Sequence, residues 1–260
     1  MIKALFFDID GTLVSFATHK IPDTAVEALK RAKEKGVKIY ISTGRPVSFI
    51  SNLGQIEDLI DGFITTNGAY CYVGNNIVSI NAIPQNDVDK LFEICERNHF
   101  PAFFVGTKNI AVINKNERLT DVFCNDLNIS EKAFTEDIND VLKQPILQIS
   151  PFFDIDEEEI IMPKIQDCIS GRWHEEFTDI TSVYADKGKG LMAIAAHEDL
   201  LISQCMAFGD GGNDISIIKA AGLGIALGNA LPEVKTAADY VTTHIDSDGI
   251  ANALLHFGVI

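Results

Sequence analysis

Positive charge is scarce in this chain: 21 Lys and Arg stand against 37 Asp and Glu, a formal net charge of −16. Nucleic acid and anionic membranes both reward basic surfaces, so neither is expected as a partner. Cysteine is sparse and unpatterned. Cys71, Cys95, Cys124, Cys168 and Cys205 are odd in number and never spaced C-x-x-C, which suggests no disulfide framework or zinc site and fits a reducing cytoplasm. No apolar run reaches 18 residues, and no basic stretch precedes a signal-type apolar segment; neither membrane insertion nor secretion is expected. There is no G-x-x-x-x-G-K-[ST] loop, which weighs against an ATP-driven kinase. The six histidines are dispersed, and even His174 beside Trp173 reads as packing or surface, not as a ligand.

What the chain does have is an α/β rhythm. The apolar run Met1–Phe7 reads as a buried strand of a parallel sheet and stops at Asp8-Ile9-Asp10-Gly11-Thr12. Ligands of open α/β sheets bind outside the carboxyl ends of the strands. Alternation along an extended chain turns Asp8 and Asp10 to one side, two like charges that call for a nearby cation. An Asp-rich strand-terminating turn is the competing reading. A helix is expected over 22–35, closed by Gly36, then a strand over 37–41 ending in Ser42-Thr43-Gly44-Arg45. Pro46 suits the first turn of a helix running to about Gln55. A third strand, 62–66, ends in Asn67-Gly68-Ala69.

The pattern then changes. A hairpin over 70–80 is followed by helical stretches near 85–98, 116–128 and 156–169. These alternate with strands over 102–105, 110–114 and 146–150 and a strand pair at 173–177 and 180–184. The acidic run Asp156–Glu159 reads as a solvated helix start. Residues 82–183 carry a net charge of −11, against −5 for the remainder. The α/β rhythm resumes at Lys187, with a strand over 205–208 ending in Gly209-Asp210-Gly211-Gly212-Asn213-Asp214. The expected architecture is a Rossmann-like, doubly wound α/β core of a parallel sheet (residues 1–81 and 184–260), with an inserted α+β cap domain at 82–183.

Such a sheet gathers four polar strand ends at one edge. Asp8, Asp10 and Asp210 offer hard oxygen ligands suited to Mg²⁺. Thr43, the Gly44 N–H, Asn213 and Lys187 offer donors to phosphate oxygens. A cation and a lysine would keep Asp8 ionised and nucleophilic, while Asp10 could carry a proton to a leaving group. This chemistry suits phosphoryl transfer through an aspartyl-phosphate.

These motifs resemble the haloacid-dehalogenase-type phosphatases: Asp8-Ile9-Asp10-Gly11-Thr12-Leu13, Thr43-Gly44-Arg45, Thr66-Asn67-Gly68-Ala69, Lys187-Gly188 and Gly209-Asp210-Gly211-Gly212-Asn213-Asp214. Within them the likeness is to the Cof-like, class IIB group, whose large α/β cap follows the third core strand. The resemblance implies Asp8 as nucleophile and metal ligand. It implies Asp10 as general acid/base with its backbone carbonyl on the metal, Asp210 as a further ligand, and Mg²⁺ as the cofactor. It implies Thr43 (with Ser42 a one-residue alternative), Gly44, Lys187 (with Lys189 the weaker alternative) and Asn213 at the phosphate. It makes Asp214 a supporting carboxylate, with Arg45 and Asn67 facing the substrate side; a plain ion pair for Arg45 is equally open.

The expected function is a cytoplasmic, Mg²⁺-dependent phosphoric monoester hydrolase acting on a small phosphorylated metabolite. A sugar (hexose) phosphate is favoured by the resemblance, with the cap excluding water and selecting the leaving group. Monomer and weak homo-oligomer both fit. A phosphomutase and a non-catalytic sugar-phosphate-binding protein are the alternatives.

Overall fold

The structure, a computed structural model, describes residues 1–126, 129–134 and 136–260. Its strands are β1 (Ala4–Phe7), β2 (Lys38–Ser42), β3 (Gly62–Thr65), β4 (Tyr70–Val73), β5 (Asn76–Ile80), β6 (Ala102–Gly106), β7 (Ile110–Ile113), β8 (Ile146–Pro151), β9 (Cys168–Gly171), β10 (Asp179–Ser182), β11 (Cys205–Gly209), β12 (Leu223–Ala226) and β13 (Tyr240–Val241). The described residues divide into two compact units. One comprises Met1–Arg45, Ile50–Ile80 and Asp186–Ile260; the other comprises Pro46–Phe49 and Asn81–Ala185.

The first unit is built on a sheet of order β13-β12-β11-β1-β2-β3-β4-β5, parallel from β13 to β3 and closed by the antiparallel hairpin β4–β5. Side-chain alternation divides its centre between two layers. Leu5 and Phe7 of β1 join Ile39, Ile41, Met206 and Phe208 beneath helices Asp23–Glu34 and Gly249–His256. Ala4 and Phe6 point the other way, with Tyr40 and Ile64, against Leu191 and Ile194 of helix Lys187–His197. Burial on both faces is why β1 is apolar without a break. Its neighbours are β2 and β11, so the chain turns opposite ways in the sheet on either side of β1, and Asp8 follows directly at that switch.

The second unit is an antiparallel sheet, β7-β6-β8-β10-β9. One face, carrying Ala102, Phe104, Ile149 and Ile180, packs on Val88, Leu91 and Cys95 of helix Gln85–Asn98, with Val141 and Ile161. Alternation turns Phe103, Gln148, Ser150 and Asp179 to the opposite face.

Five expectations are corrected. No helix runs from Pro46 to Gln55: Val47–Phe49 is one tight turn. The ring of Phe49 packs on Phe103 and Phe123 of the second unit, whereas Leu53 belongs to the first unit's core. Residues four apart on a helix share a face, so a continuous helix could not send these two to different cores. The helix expected over 156–169 ends at Ile161, where Pro163 forces a tighter turn. Its start is a capping box between Asp154 and Glu157, but Glu158 is buried against Arg172 and so is not part of a solvated run. The strand expected at 173–177 instead occupies Cys168–Gly171, and the pair is completed by Asp179–Ser182. The helix expected over 116–128 is a single α-turn, Glu117–Thr120, continued as a wider π-type turn over Asp121–Asp126; positions 127 and 128 lie outside the described residues.

Candidate active site

The parallel strands deliver their polar ends to one edge of the first unit. Asp8 leaves β1 and is 8% exposed. Thr12, four residues on, donates its hydroxyl to Asp210 Oδ1 at 2.6 Å, tying the first loop to the one after β11. Between them Gly11 has φ +85°, and a Cβ there would sit 2.3 Å from Asp210 Oδ2, so only glycine lets the two loops approach this closely. Asn229 steadies the same turn, donating to Gly11 O at 2.7 Å while its Oδ1 accepts from Ile245 N.

Lys187 is placed by the helix it opens. Asp186 caps that helix by accepting from Lys189 N, and Lys187 enters the first turn fully buried while Lys189 is exposed. A lysine at the positive end of a helix dipole is unfavourably sited. Here two carboxylates offset that cost: Lys187 Nζ donates to Asp8 Oδ1 at 2.7 Å and to Asp214 Oδ1 at 2.6 Å. Asp214 is itself fully buried, and its Oδ2 accepts from the backbone N–H groups of Asp210 and Gly211, each at 3.0 Å. One carboxylate therefore holds the lysine and shapes the loop that presents Asp210.

The loop after β3 is conformationally tense. Thr66 and Asn67 both have φ near +50° and Gly68 has φ +93°. A β-branched residue in this region is costly and persists where its surroundings over-determine it. Thr66 N donates to Arg45 O and Asn67 N to Thr43 O, both at 3.1 Å, so this loop is laced to the end of β2. Asn213 Nδ2 then donates to Asn67 Oδ1 at 3.0 Å, and the same two side chains lie beside Gly44. Thr43 Oγ1 accepts from Arg45 N, while Ser42 Oγ and Thr66 Oγ1 are buried without a hydrogen-bond partner. A Cβ on Gly68 would lie 2.3 Å from Asp186 O. Gly68→Ala is therefore expected to cost about 1–3 kcal/mol through the φ strain alone, with more from displacing the cap beside Lys187; a denaturant melt against the unchanged protein measures it.

Asp8, Asp210 and Asp214 each place one carboxylate oxygen within 4.8 Å of the others. Asp8 and Asp210, expected at a metal, are both in this set; Asp10 is expected there through its backbone carbonyl, and its side chain turns to Arg45, which donates Nε to Oδ2 at 2.7 Å and an Nη to Oδ1 at 2.8 Å. Arg45 thus makes a forked ion pair with the second aspartate of the opening motif. Burial, then the charge of Asp214, pushes Asp8 up to about 8 against the pull of Lys187. Burial also raises Asp210 to about 6, opposed by the Thr12 hydrogen bond. Burial alone would lower Lys187, but Asp214 and Asp8 hold it above its usual value. One ammonium facing this many carboxylates leaves a surplus of negative charge, and an all-oxygen donor set of this kind fits a hard divalent cation.

Sequence reasoning had not singled out Thr12, Asp186 or Asn229 as positioning groups. Thr12 was visible within the first motif. Asp186 had the signal of an N-cap before a helical run. Asn229 had none, since a lone asparagine after glycine reads as a turn.

The chain belongs to the haloacid dehalogenase-like hydrolase family, whose profile matches residues 5–254. Within that superfamily it is a phosphatase of the Cof-like, class IIB type, with a parallel α/β core and a second, antiparallel sheet forming the cap. It is 45% identical to the subclass IIB sugar phosphatase BT4131, with a TM-score of 0.88, covering 99% of this chain and 100% of that one. It is 30% identical to YkrA of Bacillus subtilis strain 168 over 99% of this chain and 98% of YkrA. It is 28% identical to the 5-amino-6-(5-phospho-D-ribitylamino)uracil phosphatase YcsE of the same organism, over 98% and 96% of the two chains. No helix among the described residues is long and apolar enough to cross a membrane.

Proposed function

We propose that this protein hydrolyses the phosphate monoester of a small sugar, a hexose phosphate in the first place, with Mg²⁺ as cofactor and Asp8 as nucleophile. The observation that carries the reading is the buried Lys187 held between Asp8 and Asp214. It fixes one oxygen of Asp8 and leaves the other to attack. Asp8, Asp210 and the backbone carbonyl of Asp10 would hold Mg²⁺, with Asp214 supporting Asp210. The ion, when bound, supplies charge neutralisation for the phosphoryl oxygens and keeps the carboxylates ionised.

The chain's own groups then account for the chemistry. The Asp8 carboxylate attacks phosphorus, and the bond from phosphorus to the ester oxygen breaks. Asp10 gives its proton to that oxygen. Water next attacks the aspartyl-phosphate, Asp10 takes a proton from it, and phosphate leaves with the Asp8 carboxylate restored. Thr43, the Gly44 N–H and Asn213 donate to phosphoryl oxygens, and Lys187 offsets their charge. Arg45 keeps Asp10 in place. Residues 82–183, the cap, select the leaving group. The sugar preference draws on the likeness to a sugar phosphatase; YcsE, by its name, acts on a ribitylamino phosphate, also a polyol ester.

Phosphate release from a panel of hexose, pentitol and pyridoxal phosphates tests this, with Mg²⁺ or with EDTA. Turnover of hexose phosphates that EDTA abolishes is expected; failure of every ester with Mg²⁺ present would overturn it.

A pH signature follows from the acids themselves. Asp8 and Asp210 are raised in the folded, metal-free protein. Their contribution to stability is therefore full below about pH 4 and is lost as pH rises through about 6 and then about 8. Melting temperature in EDTA should fall between about pH 4 and pH 8, and the gain on adding Mg²⁺ should grow over the same range. A gain that is flat or shrinking with pH would contradict the assignment.

A further inference from the structure

The hairpin β4–β5 closes one end of the first unit's sheet, and the helix packed on it covers one face only. Cys71, Val73 and Val78 pack with Ile64 against Leu191 and Ile194 of helix Lys187–His197. Alternation turns Tyr70 and Tyr72 to the opposite face. There Tyr72 lies in register between Phe63 of β3 and Ile77 of β5, and Tyr70 lies between Thr65 and Ile80. A bulge between those rows inserts one extra residue in β5, so Ile77 and Ile80, three positions apart, both flank a tyrosine. The rings form a ladder: Phe63 stacks on Tyr72 at 5.1 Å, and Tyr72 meets Tyr70 at 5.4 Å. Both tyrosines are half-buried, while Ile77 is 56% and Ile80 39% exposed. None of these four residues joins the cores that flank the centre of the sheet.

The charge around this patch bears on what can cover it. Residues 62–86 hold no Asp, Glu, Lys, Arg or His, the longest such stretch in a chain of which 22% is charged. At its border Asp61, whose carbonyl accepts from Gly74 N in the hairpin turn, is already paired with Lys33. Single exposed apolar side chains are ordinary on protein surfaces, but contiguous aromatic and aliphatic ones without charge mark a contact surface. A foreign protein would meet a chain of net charge −16 best through complementary charge. At a two-fold axis, by contrast, each side chain meets its own copy, so any charge there repels itself. A charge-free patch on so acidic a chain therefore suits a second copy of that chain. β5 is also the outermost strand, and open strand edges invite pairing. Its bulge interrupts that edge, so side chains carry the contact in place of a long backbone ladder.

We propose that two copies of this chain associate weakly through this patch, as a two-fold dimer in which Tyr72 and Ile77 of each copy pack against those of the other. The contact lies within the first unit and does not depend on the phosphatase reading. So few side chains make an interface of the transient class, with a dissociation constant roughly in the micromolar range.

Sedimentation velocity from about 2 to about 200 μM reads the association directly. A concentration-dependent shift from monomer to dimer is expected. It should be tighter at high than at low salt, because screening relieves the repulsion between two copies of charge −16. Ile77→Glu sets two carboxylates against each other and should weaken association about tenfold or more. Leu255→Glu, at a site 52% exposed on helix Gly249–His256, controls for added charge alone and should weaken it by less than about twofold. Ile77→Ser adds no charge and should weaken it about threefold, which keeps the contact testable if Ile77→Glu fails to fold. A monomer at every concentration would overturn the proposal. So would a dimer that both Ile77 variants leave intact, an equal loss in Ile77→Glu and Leu255→Glu, or an association that salt dissolves.

Discussion

Asp8→Asn is expected to abolish phosphate release, by about 10⁴-fold or more, because removing a covalent nucleophile removes the whole route and not one contribution to it. The amide is close in shape to the carboxylate and can still accept from Lys187 through its oxygen, so the fold should survive. Near-native melting with no turnover is the result that identifies a nucleophile. Removal of one oxyanion donor typically costs about 10²–10³-fold, and a loss confined to that range would reassign Asp8 to electrostatic support. Trapping should agree with the kinetics. Rapid acid quench of the unaltered enzyme during turnover should yield an acid-stable, hydroxylamine-labile phosphate on the chain, and Asp8→Asn should yield none.

Lys187→Met should be the most destabilising single change at the site. The lysine is 1% exposed and sits between two carboxylates, Asp8 and Asp214. Taking away one partner of a buried charge cluster costs about 3–5 kcal/mol, since the remaining charges stay buried and uncompensated. In a chain of this size that corresponds to roughly 10 °C or more in melting temperature. The sign of its pH dependence separates charge from packing. As pH falls, the stranded carboxylates take up protons and the deficit relative to the unaltered protein should narrow. A deficit unchanged between pH 5 and pH 8 would mean that lost packing dominates.

The core was legible because its signals are local and redundant. The run Ala4–Phe7 could only be a strand buried on both faces, and the polar clusters after β1, β2, β3 and β11 follow from where a parallel sheet ends. Pairings across those clusters were not legible. Nothing in Asp10 or Arg45 says that they meet, and the sharing of Lys187 by Asp8 and Asp214 depends on where two helices begin. The second unit was read less well for a physical reason. Phe49 and Leu53 have helical spacing yet serve different cores, and the Arg172 loop resembles a strand in composition while its shape is set by one guanidinium gathering distant carbonyls. Propensity cannot anticipate either, because both are decided by tertiary contacts.

The placement of Pro46–Phe49 bears on how such proteins can be recombined. By sequence, the second unit looks like a single cassette. By packing it has two pieces: the Phe49 ring, 9% exposed, depends on Phe103 and Phe123. A transplant of residues 81–185 alone would strand that ring beside a foreign surface, four residues downstream of Thr43-Gly44-Arg45. Grafts between relatives should therefore carry 46–49 with the larger piece, so the portable module is discontinuous and one of its seams directly adjoins the arginine that holds Asp10.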